Sequence, residues 1–266
     1  MKIMMIGDVY GRSGREALAT ELPGLRKQYA PDAVIVNADN ATNGNGANPA
    51  TVKELYDLGV DLLTGGDHIW DQRESLTHLD RSPWILRPLN YPNGTIGKGF
   101  HVLEIGKKKL LIIHALGRVF IEKKSENPFL AIDALLQKYA LKKDVDAILV
   151  DFHAEATSEK NAMGLYLDGR VSAVCGTHTH VQTADARVLT KGTAYITDVG
   201  MTGDQSGVIG ADAQAPLQLF LSGFSAHRIQ PGDGDGTVSG VVITINDMTG
   251  LASSIDAFHK GGVLGR

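Results

Sequence analysis

The sequence predicts a layered α/β fold, and three observations carry that expectation. Short aliphatic runs recur at residues 3–6, 33–36, 62–64, 148–150, 173–175 and 195–197. Their length and composition are those of buried strands. Helical patterns lie between several of them, and strand–helix alternation favours layers joined by right-handed crossovers. Glycine, at 31 of 266 residues, suits many tight strand-to-helix turns.

Taken in order, the first run passes through Gly7 into Asp8. Residues 16–29 carry apolar side chains at 17, 18, 22, 25 and 29, and Pro23 predicts a break or a fresh helix start within them. Residues 51–58 and 127–141 read as amphipathic helices, the second opening with Pro128 at a first helical position. Residues 99–116 read as two strands joined by Gly106 and the lysines 107–109, a solvated hairpin turn. The tail, residues 232–247, reads as a turn and then an antiparallel edge strand over 238–245. No repeat or low-complexity linker divides the chain, so one domain is expected over residues 1–266, with a small cap over the site within 71–100.

Composition narrows the function. With 43% hydrophobic and 21% charged residues the chain is neither disordered nor fibrous. Lys+Arg of 26 against Asp+Glu of 30 gives no bulk cationic field, so no stable nucleic-acid complex and no membrane partner are expected. The single cysteine, Cys175, excludes an intramolecular disulfide framework and reads as a core thiol in a reducing compartment. Gly7-Asp8 interrupts the first apolar run before a signal-peptide core forms, and no run reaches the ~20 residues of a membrane helix. A cytoplasmic location is the expectation.

The chemistry sits where the strands end. Those ends present Asp8, Asp39, Asn40, Asp67, His68, His153, His178 and His180, and open α/β sheets bind ligands at the carboxyl ends of their strands. Any one of these residues alone reads as a helix cap or a satisfied buried histidine; together they read as ligands. In extended chain, residues two apart point to the same side, so His178 and His180 are expected to meet one metal centre. Carboxylates, an asparagine and several histidines suit two metals about 3.5–4 Å apart. Mixed imidazole and carboxylate ligation favours Mn, Fe, Zn or Co over Mg or Ca.

The series Gly7-Asp8, Asp39-Asn40, Gly66-Asp67-His68, His153 and Gly176-Thr177-His178-Thr179-His180 resembles the signature of calcineurin-like metallophosphoesterases. More narrowly it resembles the bacterial YmdB-type phosphodiesterases, over nearly the whole chain and most specifically at residues 151–160, 176–185 and 191–203. The resemblance implies the layered metallophosphoesterase fold, with central mixed β-sheets flanked by helices. It implies two divalent or mixed-valence metals, iron or manganese first and zinc or cobalt next, 2′,3′- and 3′,5′-cyclic nucleotides as substrates, and a homo-oligomer. Carried over residue by residue, it implies Asp8, Asp39, Asn40 and His180 around one metal. Asp39 would bridge to the second, held by Asp67, His153 and His178, and His68 would lie beside the phosphate. Tyr10 stands where the wider superfamily has a metal-binding histidine, and Asn40 takes that place as in the narrower family.

Two departures carry consequences: Asp39 where the family has Glu, and Asp67 where Asn is usual. The shorter arm at 39 still bridges in the wider superfamily. Asp67 adds a negative charge, which lowers the attraction for an anionic diester, raises the pKa of a bridging water and predicts an altered metal preference. The expected mechanism is attack by a metal-bridging hydroxide in line with the leaving sugar oxygen, with His68 protonating that oxygen as general acid. Alternatives are a phosphomonoesterase or phosphoprotein phosphatase at the same metals, and a metal- and nucleotide-binding regulator with little turnover.

Other features read as structural. Residues 7–14 are glycine-rich but lack the Gly-Lys-Ser/Thr of a phosphate loop and the Gly-x-Gly-x-x-Gly of a dinucleotide fold. Asp71-Gln72-Arg73-Glu74 fits a capping box, giving Asp71 a structural role. Arg12 and Arg15 read as solvated helix-face charges, and His78, His101, His114, His227 and His259 have no companion ligands in the sequence.

Overall fold

The computed structural model describes residues 1–265. The chain runs through β1 (Lys2–Ile6), β2 (Asp8–Val9), α1 (Gly11–Tyr29), β3 (Ala33–Asn37), α2 (Pro49–Asp57), β4 (Leu62–Thr64), α3 (Ser75–His78) and β5 (Ile85–Leu86). A hairpin of β6 (Phe100–Ile105) and β7 (Lys108–Leu116) leads to α4 (Pro128–Leu136), β8 (Ala147–His153), α5 (Thr157–Leu167) and β9 (Ala173–Thr177). There follow β10 (Arg187–Val188), β11 (Ala194–Ile196), β12 (Met201–Asp204), α6 (Gln214–Ser222), β13 (Gly236–Ile245) and β14 (Ala252–Lys260).

These strands form two mixed sheets. One is eight-stranded, ordered β2-β12-β13-β1-β3-β4-β5 with β14 also on β13; the other is six-stranded, ordered β10-β11-β9-β8-β7-β6. The period-two alternation of a strand divides its side chains between two cores. Ile3, Met5, Ile35 and Leu62 of the first sheet meet Leu110, Ile112, Leu149, Cys175 and Ile196 of the second, in the space between the sheets. Met4, Ile6, Val34, Val36 and Leu63 face outward onto Leu18, Leu22 and Leu25 of α1 and Leu55 of α2. Leu111, Ile113, Ile148 and Val150 face outward onto Ile132 and Leu135 of α4 and Met163 and Leu167 of α5. The central strands of both sheets are therefore buried on both faces, which is why they read as continuous apolar runs. The parallel sets β1-β3-β4 and β7-β8-β9-β11 end at one rim, and the polar residues that follow them meet there.

The structure departs from the sequence reading in several places. Helix α1 runs unbroken over 19 residues with Pro23 inside it. Pro23 and Ala19, whose carbonyl loses its partner, are both exposed, so water satisfies that carbonyl while Leu18, Leu22 and Leu25 hold the buried face. Helix α4 stops at Leu136, short of residue 141. The strand read as an edge is interior: β13 pairs with β1 and then β12 along one side and with β14 along the other. The edge is β14, whose mostly half-exposed residues carry little apolar signal. The hairpin turn is Gly106-Lys107, with Lys108 and Lys109 already in β7. Within 71–100, α3 lies outside the sheets while β5 is hydrogen-bonded to β4. Among the described residues no helix is long and apolar enough to cross a membrane.

An interior proline costs a helix ~3 kcal/mol, while its loss loosens the unfolded chain by ~1 kcal/mol. Pro23→Ala is therefore expected to stabilise the fold by about 2 kcal/mol, read as a rise in the urea midpoint at unchanged m-value.

Candidate metal centre

Eight side chains chosen from the sequence converge at the rim. His153, at the end of β8, is fully buried, with Nε2 3.3 Å from Asp39 Oδ2, 3.3 Å from Asp67 Oδ1 and 3.1 Å from His178 Nδ1. Asp8 Oδ1 lies 3.7 Å from His153 Nδ1 and 4.0 Å from His180 Nε2, so it faces both halves of the cluster. His180 Nε2 is 3.1 Å from Asn40 Oδ1. The residues thus fall into a half around Asp67, His153 and His178, with Asp39 against His153, and a half around Asn40 and His180, with Asp8 facing both.

The two histidines after β9 do not point to the same side along extended chain. His178 has φ of 101° and His180 φ of 64°, so the segment coils and sends the rings to opposite halves. Asp198 holds that shape: its Oδ2 accepts from the Thr179 N–H and Oγ1 at 3.0 and 2.8 Å, and its Oδ1 from the Gly200 N–H at 2.8 Å. The same Oδ2 is 2.7 Å from Lys160 Nζ of α5, and both side chains are buried.

Each ring is oriented by a partner on its far side, the arrangement metal-ligating histidines require. His180 Nδ1 donates to the Ile209 carbonyl at 2.8 Å. His178 Nε2 is 3.2 Å from Glu155 Oε2. His153 Nδ1 is 2.9 Å from Thr177 Oγ1, which donates to Asp151 Oδ1 at 2.7 Å. Asn37 donates to Asp151 Oδ2 at 3.1 Å and accepts the Asp39 N–H at 2.9 Å. His114, without companions in the sequence, lies buried 3.2 Å from Asp151 Oδ2.

The residues present fit transition-metal cations. Asp8 Oδ1 and Asp39 Oδ2 are buried and accept no hydrogen bond among the described residues. A Cβ at Gly66 would lie 2.5 Å from both Asp39 Cγ and His153 Nε2, so glycine there keeps the space between them open. Burial and neighbouring charges move the protonation of the cluster in both directions. Burial pushes Asp8 up to about 6, against the pull of His153 and His180. Burial opposes charge on His153, but Asp39 and Asp67 outweigh it and raise that ring well above its usual value. Burial and the adjacent His153 push His178 down to about 3. Burial would raise Asp67, yet its bond to His153 and the charge there hold it well below the usual carboxylate range.

His68 stands at the mouth, partly exposed, its Nδ1 2.7 Å from Asp71 Oδ2 and its backbone N–H donated to Asp39 Oδ1 at 3.0 Å. Burial works against its charge, but Asp39, the bond to Asp71 and Asp67 together raise its pKa. Beyond the cluster a pocket of about 640 Å³ opens, lined on one side by His68, His178 and His180 and on the other by apolar residues of the 208–229 region.

A sequence profile described as YmdB-like protein matches residues 4–258. The chain belongs to the YmdB-like family. It is 44% identical over 256 residues, 96% of each chain, to the 2′,3′-cyclic-nucleotide 2′-phosphodiesterase of Bacillus subtilis (strain 168). The crystal structure of a novel phosphatase from Mycoplasma pneumoniae superposes with a TM-score of 0.91 at 37% identity, covering 98% of this chain and 93% of that one. The NAD nucleotidase of Haemophilus influenzae shares the fold alone, with a TM-score of 0.55 at 12% identity over 97% of this chain and 55% of that one. The metallophosphoesterase fold expected from the strand-end residues is the fold of this YmdB-like chain, and the family implies divalent metals.

Two readings of neighbouring residues change. Asp71 is not a helix cap, since α3 begins only at Ser75 and has no side-chain cap; its carboxylate faces His68 and, at 3.3 Å, Lys123. Arg15 is not a free surface charge: it donates to the Ala41 carbonyl at 2.6 Å and pairs with Glu54 at 2.9 Å, bracing the loop that carries Asn40. Sequence reasoning missed Asp198, Lys160, Thr177 and Glu155 as supports of the site. The signal available was their place in the motifs 151–160, 176–185 and 191–203.

Removing one partner of a buried ion pair costs about 3–5 kcal/mol, because the other charge stays buried and unpaired. Lys160→Met in this YmdB-like chain is expected to lose that much stability in urea unfolding. The double variant with Asp198→Asn is expected to recover part of the loss, since the stranded charge is gone.

Proposed function

We propose that this chain is a metal-dependent phosphodiesterase that opens 2′,3′-cyclic nucleotides, with 3′,5′-cyclic nucleotides as a further substrate. The observation that carries the reading is the pairing of a metal-suited donor cluster with a pocket whose lining, among the described residues, holds no Lys or Arg. A phosphomonoester carries up to two negative charges and normally meets basic side chains; a diester carries one. The absence of basic side chains, with Glu155 on the wall, favours the diester over a monoester or phosphoprotein. The name of the Bacillus subtilis relative supports the same substrate class.

In this reading Asp8, Asp39, Asn40 and His180 hold one cation and Asp67, His153 and His178 the other, with Asp39 shared. Ligand type suits manganese, iron, zinc or cobalt, and the family resemblance puts iron or manganese first. When bound, such cations neutralise the phosphate and make the attacking water more acidic. His68, with Nδ1 committed to Asp71, presents Nε2 to the pocket and gives its proton to the departing sugar oxygen. The attacking water gives up a proton to solvent as its oxygen bonds to phosphorus. The P–O2′ bond breaks, O2′ takes the His68 proton, the nucleoside 3′-phosphate leaves, and His68 takes a proton back from solvent. Asp71 fixes the ring and keeps it charged until that moment. Buried Asn37 and Thr177 hold Asp39 and His153 in place, so the cluster need not reorganise as charge develops.

Product-resolved chromatography of 2′,3′-cyclic AMP with manganese-loaded protein is expected to show 3′-AMP, and none after chelation. No product at confirmed occupancy of two metals would overturn the proposal. His68→Ala is expected to lower kcat by about 10²-fold or more with smaller effect on KM, as loss of a general acid does. Asp71→Asn is expected to give a lesser fall and to shift the basic limb of the kcat profile to lower pH, because the ring loses a partner that raises its pKa.

A further inference from the structure

The pocket is larger than a phosphate requires, and its two sides differ in character. One side is the imidazole and amide rim of the cluster; the other is built from Ile209, Leu219, Phe220 and Ile229, all exposed. Phe220 is 81% exposed and Ile209 56% exposed, so neither is placed there to fill a core. They come from three separate segments: the loop after β12, the body of α6, and the return toward β13.

Ile209 ties this wall to the chemistry. It sits at φ of 44°, a left-handed conformation that costs a β-branched residue on the order of 1–3 kcal/mol. The bridge between Val208 and Ala211 holds it so. In that conformation its carbonyl accepts the His180 Nδ1–H while its side chain lines the pocket. The same strained residue therefore orients one imidazole of the cluster and presents an apolar surface beside it. A ligand that fits both sides carries its phosphate a short distance from a flat group with apolar faces. Nucleotides have that construction: a base held by one ribose from the phosphate.

We propose that Ile209, Leu219, Phe220 and Ile229 form the nucleobase subsite, with the Phe220 ring as the stacking surface, an assignment that rests on the phosphodiesterase reading above. Asn43 and Asn45 line the same pocket and offer amides to the edge of the base. The other occupant to weigh is a second copy of the chain. Leu217, Phe220 and Leu221 are exposed at the i, i+3, i+4 spacing of a helix–helix seam, and Phe224 is exposed just past the end of α6. A helix seam, however, has no use for a strained Ile209 or for a concave pocket continuous with the cluster.

The test uses adenosine, which has the base and no phosphate. Titration calorimetry with manganese-loaded wild type is expected to show binding, weakened roughly tenfold by Phe220→Ala and restored by Phe220→Trp, the scale of one base–aromatic stack. Kinetically, Phe220→Ala is expected to raise KM for 2′,3′-cyclic AMP by a similar factor with kcat nearly unchanged. Glycerol 1,2-cyclic phosphate, a base-free diester, is expected to be cleaved equally by both proteins. The subsite is overturned if adenosine fails to bind the wild type, or binds Phe220→Ala as tightly. It is overturned too if Phe220→Ala only converts an oligomer to monomer in sedimentation velocity with adenosine affinity unchanged. If neither cyclic compound is cleaved while adenosine binding still depends on Phe220, the hydrolytic reading fails and the base subsite stands. Cleavage of the glycerol compound without adenosine binding overturns the base subsite and leaves diester hydrolysis standing.

Discussion

The rim of this protein depends on one buried carboxylate. Asp198 receives Lys160 Nζ, the Thr179 N–H and hydroxyl, and the Gly200 N–H. Those bonds help hold a segment in which His178 and His180 both take positive φ. Strain of that kind persists only where surrounding structure over-determines it. The ion pair to α5 supplies that determination, and because both partners are buried the geometry is enforced: leaving either charge unpaired is costly. The consequence is chemical. Two histidines separated by one residue serve opposite halves of a donor cluster, which extended chain would not permit.

The second constraint is charge. Asp8, Asp39 and Asp67 are drawn together at the end of a sandwich whose central strands are dry on both faces, and two of their oxygens accept no hydrogen bond among the described residues. Buried charge is tolerated when paired or bound to metal. Burial pushes the Asp8 acid up to about 6, and Asp39 and Asp67 hold His153 well above its usual value. Cations held there would offset the carboxylate charge. The pocket offers a substrate no basic side chain among the described residues, so whatever attraction a phosphate feels must come through that cluster and His68.

Much of this was legible in the sequence, for a physical reason. Strands buried on both faces cannot hide their length or composition, and the polar residues that follow them stand out against the apolar runs. Asp8, Asp39, Asp67 and His153 were therefore findable one strand end at a time. What failed were inferences that assume local geometry. Pro23 predicted a break, but its side of α1 faces solvent and the buried leucines on the other side carry the helix through. Asp71 matched a capping box by spacing, yet the helix starts one turn later and the carboxylate turns to His68. β14 and α6 were missed because an edge strand and a solvent-facing helix keep little of the periodic signal. Lys160 gave no sign of being buried, since its partner lies 38 residues away.

The division of labour between strands and loops follows from the same topology. The donor cluster is fixed by parallel strands that belong to both sheets. The apolar wall is carried by the segment between β12 and β13, whose ends meet as antiparallel partners at Gly203 and Thr237. A segment that leaves and rejoins a sheet at adjacent positions can change its sequence with little effect on the strands. One bond limits that freedom: the Ile209 carbonyl holds His180. The backbone at 208–211 is thereby bound to the chemistry, while the side chains of α6 are not. Selectivity among phosphate esters is thus expected to vary on α6, and the capacity to act on them to vary with the turn at Ile209.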